Sequence, residues 1–236
     1  MKTHSGLESA ETFLRIHLLQ PSHLWTSKPT GPYVTISRES GTHGSRLATA
    51  LAKELNKAGA EETPPWTVFD GELVNEMLRS ARLSPSLARF LPEDHIPEFK
   101  SQLGELIGLH PNLWELNQRA VALTRELARV GHSILVGRGA NYASTGIPNG
   151  LHVRLVASEA HRAREMAAEL GISRSDAQVH NLQIDQARKR FVKSMFNADV
   201  TDPSAYSLLI NTEFIPTETA VRLLVELIGL RSQVPA

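Results

Sequence analysis

The residues best placed to do chemistry lie between Arg38 and Arg46. A β-branched run, Tyr33 to Ser37, leads into the small, polar stretch RESGTHGS, and Leu47, Leu51 and Leu55 then recur on one helical face. A glycine-containing turn from strand to helix gathers backbone N–H groups and a helix N-terminus around one point, an arrangement that can hold phosphate. Laid over the phosphate-loop pattern GxxxxGK[ST], residues 38–45 put Arg38 at the first Gly, His43 at the second, Gly44 at the Lys and Ser45 at the Ser/Thr. Only Ser45 fits; its hydroxyl can ligate Mg²⁺ or cap the helix that follows. Gly41, Thr42 and Gly44 would complete the cradle. Arg38 and Arg46 flank it, and either can replace the missing lysine as a phosphate charge. His43 carries a Cβ to the point where backbone should approach phosphate.

Two further positions invite a ligand. Arg138 follows a strand between Gly137 and Gly139, at the end where parallel sheets bind ligands, and its guanidinium suits a phosphate. A capping or surface arginine is the plain alternative. Asp70 ends the short strand signal Val68-Phe69, where it can bind an acceptor or cap the next helix.

These residues need a scaffold. Strand signals at Tyr33–Ser37, Val68–Phe69, Ser133–Val136, Leu151–Val156 and Leu208–Ile210 alternate with helical patterns, which predicts a parallel sheet. A helix is expected from about 111 to 130, with Leu113, Leu116, Ala120, Leu123, Leu127 and Val130 on one face and Gly131 at its end. Two more are expected at about 158–170 and 173–196, the first ended by Gly171 and the second opened by Ser173 and Asp176. On the long helix Asp185 is spaced to pair with Arg188, and Lys189 and Arg190 read as a solvated face. Thr217 to Ile228 gives a last amphipathic helix. Before the first strand, residues 7–20 read as an amphipathic helix and 21–32 as a linker, an arm able to dock on its own domain or on a second subunit as a homodimer.

Composition narrows the classes. The 236 residues hold 25 Lys+Arg, 25 Asp+Glu and no cysteine. That removes disulfide scaffolds, thiol chemistry and iron–sulfur clusters, makes a reducing cytoplasm the expected compartment, and lacks the basic footprint of a nucleic-acid polymer binder. No apolar run is long enough for a membrane span. The histidines never fall at metal-ligand spacing, and neither GxSxG nor a complete GxGxxG occurs.

Taken together, ISRESGTHG (36–44), FDGELV (69–74), ILVGRGANY (134–142), LHVRLVASEAHRARE (151–165), IDQARKRF (184–191) and DPSAYSLLINT (202–212) resemble the cytidylate kinase-like family, a branch of the P-loop nucleoside monophosphate kinases. The resemblance is spread over much of residues 33–228. It implies an α/β, three-layer P-loop kinase-like fold with a parallel five-stranded sheet, a helical acceptor-binding insert at about 71–130 and a helical lid at about 158–196, all in a domain of residues 33–236. It implies ATP and Mg²⁺, and phosphoryl transfer to a small acceptor such as CMP or dCMP. By motif match Arg138 grips the acceptor phosphate, Arg162 and Arg188 are lid arginines that neutralise the transferred group, and Asp202 and Tyr206 brace the loop before the last strand. A second reading stays open: a nucleotide-binding regulatory protein on the same scaffold that no longer turns over. A purely structural interaction module is a third.

Overall fold

The computed structural model describes residues 31–58, 64–74 and 113–232. The arm at 7–20, most of its linker, and the part of the insert from 75 to 112 lie outside the described residues. Five strands, β1 (Tyr33–Arg38), β2 (Thr67–Asp70), β3 (Ser133–Val136), β4 (Gly150–Val156) and β5 (Leu208–Asn211), form one parallel sheet in the order β2-β3-β1-β4-β5. Helix α1 (Gly44–Ala58) follows β1 and α2 (Leu113–Val130) precedes β3. The short α3 (Ala140–Ala143) follows β3, and α4 (Glu159–Leu170) and α5 (Arg174–Phe196) lie between β4 and β5. Helix α6 (Thr217–Ser232) ends the fold.

The sheet is covered on both faces, which is why its strands read as nearly continuous apolar runs. On one face Val34, Ile36, Ile134, Val153 and Leu155 are buried beneath Leu47, Leu51 and Leu55 of α1 and Val221, Leu224 and Ile228 of α6. On the other, Tyr33, Phe69 and Leu135 pack with Ala120, Leu123 and Leu127 of α2. The parallel sheet expected from the alternating pattern, and the three layers that the resemblance implies, are therefore present.

Local chemistry ends the helices where the sequence marks them. Gly131, just past α2, has φ 77°. Gly171 caps α4 in the left-handed region, and Ser173 Oγ accepts the Asp176 N–H at the start of α5. Helix α5 is long and polar, with only Ala177, Asn181 and Val192 buried, so it acts as a cover over one end of the sheet rather than as core. Among the described residues no helix is long and apolar enough to cross a membrane.

Register then decides which residues can meet. Ile36 stands opposite Val136, Asp70 opposite Val136, and Ser37 opposite Arg154. The carboxyl ends of β1, β2 and β3 are thus level, and Arg38, Asp70 and Arg138 emerge at the same edge. From β1 the chain builds outward to β2 and β3, then crosses to β4 on the other side, which opens a crevice beside the end of β1.

Candidate active site

That crevice is a cleft of about 680 Å³ into which Arg38, Arg138, Arg154, Arg162 and Arg188 converge, with Asp185 among them. Five guanidinium groups repel one another unless anions separate them, so the pattern of pairing is informative. Three are neutralised. Arg154 on β4 is only 5% exposed. It stands 3.8 Å from Glu39 Oε1, donates to Ser37 Oγ at 3.0 Å, and lies 5.7 Å over the Tyr206 ring. Arg162 on α4 donates to Asp185 Oδ2 at 2.7 Å and sits 3.4 Å from Glu39 Oε2. Arg188 on α5 reaches Asp185 Oδ1 at 3.4 Å and donates to the Arg38 carbonyl at 3.1 Å. Asp185 also accepts the Ser40 N–H at 2.8 Å, so one carboxylate ties the loop, α4 and α5 together. Its helical pairing with Arg188 exists, but it is the longer of its two ion pairs.

Two arginines have no carboxylate partner among the described residues. Arg138 donates to Asn117 Oδ1 at 3.2 Å and to the Gly71 carbonyl at 3.4 Å, both neutral, and its guanidinium is 6.0 Å from the Phe191 ring centre. Arg38 makes no side-chain hydrogen bond or ion pair with any described residue. Burial, with Arg188 and Arg138 nearby, pushes its guanidinium down to about 10, against the smaller opposing pull of Asp70 and Asp185. Burial lowers Arg138 as well. Both remain cationic at neutral pH.

The backbone presenting Arg138 is strained. Gly137, Arg138 and Gly139 all have positive φ, at 82°, 54° and 60°. Arginine in the left-handed region costs about 1–2 kcal/mol, a strain that structures tolerate where it aims a side chain. A Cβ on Gly137 would overlap Arg38 Nη1, and one on Gly139 would overlap the Phe196 ring. Gly137→Ala is therefore expected to displace the Arg38 guanidinium. The stability loss should be about 1–2 kcal/mol. Thermal unfolding of the variant beside the wild type reads it.

The loop itself lies beside the cleft. Arg38 and Glu39 line it, but none of Gly41, Thr42, His43, Gly44, Ser45 and Arg46 does. Gly41 has φ 83°, and the Arg162 backbone is so near that a Cβ there would meet its carbonyl at 2.6 Å. Thr42 Oγ donates back to the Glu39 carbonyl at 2.7 Å. His43, with φ 52°, directs its ring to α4, with Nε2 3.3 Å from Glu165 and Nδ1 3.4 Å from Glu169. Ser45 and Arg46 are exposed in the first turn of α1. Asp70 Oδ1 accepts the N–H groups of Glu72 and Leu73, which is the capping geometry. Asp202 caps a single 3₁₀ turn, Pro203–Ala205, and Tyr206 donates to the Val200 carbonyl at 2.8 Å, so the DPSAY turn is a brace.

Arg154 and Glu39 are the site residues that sequence reasoning missed. A signal existed: along β4 the buried Leu151, Val153 and Leu155 leave Arg154 on the opposite face of a fully covered sheet, where a charge needs a partner.

The profile of the cytidylate kinase-like family matches residues 33–213. The chain belongs to that family. No curated protein matches the chain. Among solved structures, an uncharacterized protein from Eubacterium ventriosum ATCC 27560 is similar at 16% identity and a TM-score of 0.63, covering 86% of this chain and all of that one. A shikimate kinase from Bacteroides thetaiotaomicron aligns at 15% identity and a TM-score of 0.46, over 84% of this chain and 98% of its own. A gluconokinase from Sinorhizobium meliloti 1021 aligns at 14% identity and a TM-score of 0.42, over 87% of this chain and 99% of its own. The five-stranded parallel sheet with helices on both faces is the kinase-like fold that this family membership carries.

Proposed function

We propose that this cytidylate kinase-like protein transfers the γ-phosphoryl group of ATP to a small acceptor that already bears a phosphate, a nucleoside monophosphate such as CMP or dCMP. One observation supports this above the rest: Arg38 and Arg138 share a cleft at the strand ends with no carboxylate partner among the described residues, while the three arginines around them are paired. Half-buried cations with no counter-charge are unfavourable without a ligand, and a phosphate is an anion that planar guanidinium groups hold well. The bond formed joins an acceptor phosphate oxygen to the γ-phosphorus, and the bond broken is that to the bridging oxygen, whose electron pair leaves with ADP. Such a step needs little covalent help and much fixed positive charge.

The chain's residues divide that work. Arg138, presented by the strained turn, grips the acceptor phosphate; Arg162 and Arg188, from the two covering helices, neutralise the transferred group when Asp185 yields them. Residues 41–46 and the first turn of α1 supply N–H groups to the donor phosphates. Mg²⁺ would neutralise donor charge, and Ser45 suits it: the hydroxyl is exposed at the start of α1 and makes no side-chain hydrogen bond with a described residue. Among the described residues no group of three His, Cys, Asp or Glu could hold a metal by itself, so the ion would arrive with the nucleotide.

A regulatory nucleotide-binding role without turnover has one observation in its favour, the carboxylate of Asp185 on the Ser40 N–H, where a phosphate would compete with it. Purified protein incubated with Mg-ATP and a panel of nucleoside monophosphates separates the two. Acceptor-dependent ADP release, reduced about tenfold or more in Ser45→Ala, is the expected result. ATP binding with no ADP release across the panel would transfer the assignment to the regulatory reading.

A further inference from the structure

The loop carries no lysine, and the stem of Arg38 lies against the position from which the pattern's lysine would grow. Against GxxxxGK[ST] the chain carries Arg38 where the pattern has its first glycine and Gly44 where it has lysine. In the fold these two exchanges meet. A Cβ built on Gly44 would stand 3.0 Å from Arg38 Cγ, 3.2 Å from its Cβ and 3.4 Å from its Cδ. The stem of Arg38 therefore runs over the first residue of α1, through the volume that a side chain at position 44 would enter. Its guanidinium continues to Gly137, whose lack of a Cβ makes room for Nη1. The charge is thus suspended between the N-terminus of α1, where donor phosphates would bind, and the turn bearing Arg138, where the acceptor phosphate would bind.

We infer that Arg38 is a catalytic residue of this site, a relocated phosphate-loop cation that reaches the transferring phosphoryl group from the end of β1 instead of from the helix. This rests on the kinase reading above. Two features set Arg38 apart from Arg46, the other cation beside the loop, and a third sets it apart from the other arginines of the cleft. Arg38 lines the cleft and Arg46 does not. Arg38 is half-buried, whereas Arg46 is exposed. No described residue pairs with the Arg38 side chain, although Glu39 and Asp185 pair with the neighbouring arginines. A guanidinium that served the fold would be expected to take one of those carboxylates. Because no described residue takes its donors, it can strengthen its contacts as negative charge spreads over the equatorial oxygens in the transition state, with no proton or electron transferred to the arginine.

The exchange makes the inference testable by reversal. Arg38→Gly restores the first glycine of the pattern and removes the three atoms nearest a Cβ at position 44, so Gly44→Lys can then be added without meeting the Arg38 stem. The expected result is a loss of kcat by about 100-fold or more in Arg38→Gly and recovery of at least about tenfold in the Arg38→Gly/Gly44→Lys double variant. Arg38→Lys, which keeps charge and stem, should fall between wild type and Arg38→Gly and shows whether charge or folding is at issue. Affinity for the β,γ-imido analogue of ATP, measured calorimetrically, provides a readout free of turnover and should follow the same order. Wild-type turnover with Arg38→Gly within threefold of it would overturn the assignment while leaving the kinase reading intact. So would a double variant no better than Arg38→Gly in both rate and affinity, or an equal loss in Arg46→Ala. A wild type that neither releases ADP with any acceptor nor binds the analogue would overturn both.

Discussion

Arg138→Ala is expected to lower kcat/KM for the phosphate-bearing acceptor by about 100-fold to 1000-fold while leaving the affinity for the ATP analogue nearly unchanged. Truncating one member of a buried, hydrogen-bonded charge pair costs about 2–5 kcal/mol, and each 1.4 kcal/mol is a factor of ten. The present partners of Arg138, Asn117 and the Gly71 carbonyl, are neutral and its contacts long, so little folding energy rests on them. Thermal stability should therefore move by less than about 1 kcal/mol. A companion variant sharpens this. Arg138 has φ 54°, where glycine is unstrained, so Arg138→Gly should melt above Arg138→Ala by about 1 kcal/mol while being as defective. Initial rates with the acceptor varied at saturating Mg-ATP, together with unfolding curves, test both. An unchanged acceptor KM and turnover would remove Arg138 from the site.

The second large effect is on stability. Asp185 receives Arg162 at 2.7 Å, Arg188 at 3.4 Å and the Ser40 N–H at 2.8 Å, and its side chain is 18% exposed. Asp185→Ala leaves Arg188 with no carboxylate among the described residues and Arg162 with Glu39 alone, and orphans a loop N–H. Breaking such a pair in a buried setting costs about 3–5 kcal/mol; partial exposure reduces this to about 2–4 kcal/mol. For a chain of this size that corresponds to a fall in Tm of roughly 5–15 °C by scanning calorimetry. Asp185→Asn retains an oxygen for Ser40 and should lose about half as much. A Tm within 2 °C of wild type in Asp185→Ala would show that the three contacts are not coupled.

Much of this fold is written locally. Leu47, Leu51 and Leu55 at helical spacing, the αL glycines at 131 and 171, and the Ser173 cap each act within a few residues of themselves, and each element is found where its signal lies. Strands alternating with helices already imply a parallel sheet, because only crossovers of that length return the chain in the same direction. The glycine-rich turn after β1 and the Gly137-Arg138-Gly139 turn after β3 were likewise visible as places where backbone must bend and ligands can approach.

Which side chains share the cleft was not visible there. Arg38 and Arg46 are equivalent as loop-flanking cations in the sequence; only the direction of the last residue of β1, over Gly44 and toward Gly137, puts one in the cleft and leaves the other exposed. Arg154 reads as one charge in an apolar strand until β4 is placed beside β1, which sets it opposite Ser37 and within reach of Glu39. Asp185 is spaced for Arg188 alone until α5 is laid across the loop and α4, where Arg162 and Ser40 take most of its carboxylate. The sequence by itself determined the elements, their termini and the two glycine-bearing turns, since propensity, periodicity and capping are short-range. The tertiary structure alone decided which of five arginines from five separate segments meet a carboxylate and which do not, because strand order and register are long-range choices that no local pattern encodes.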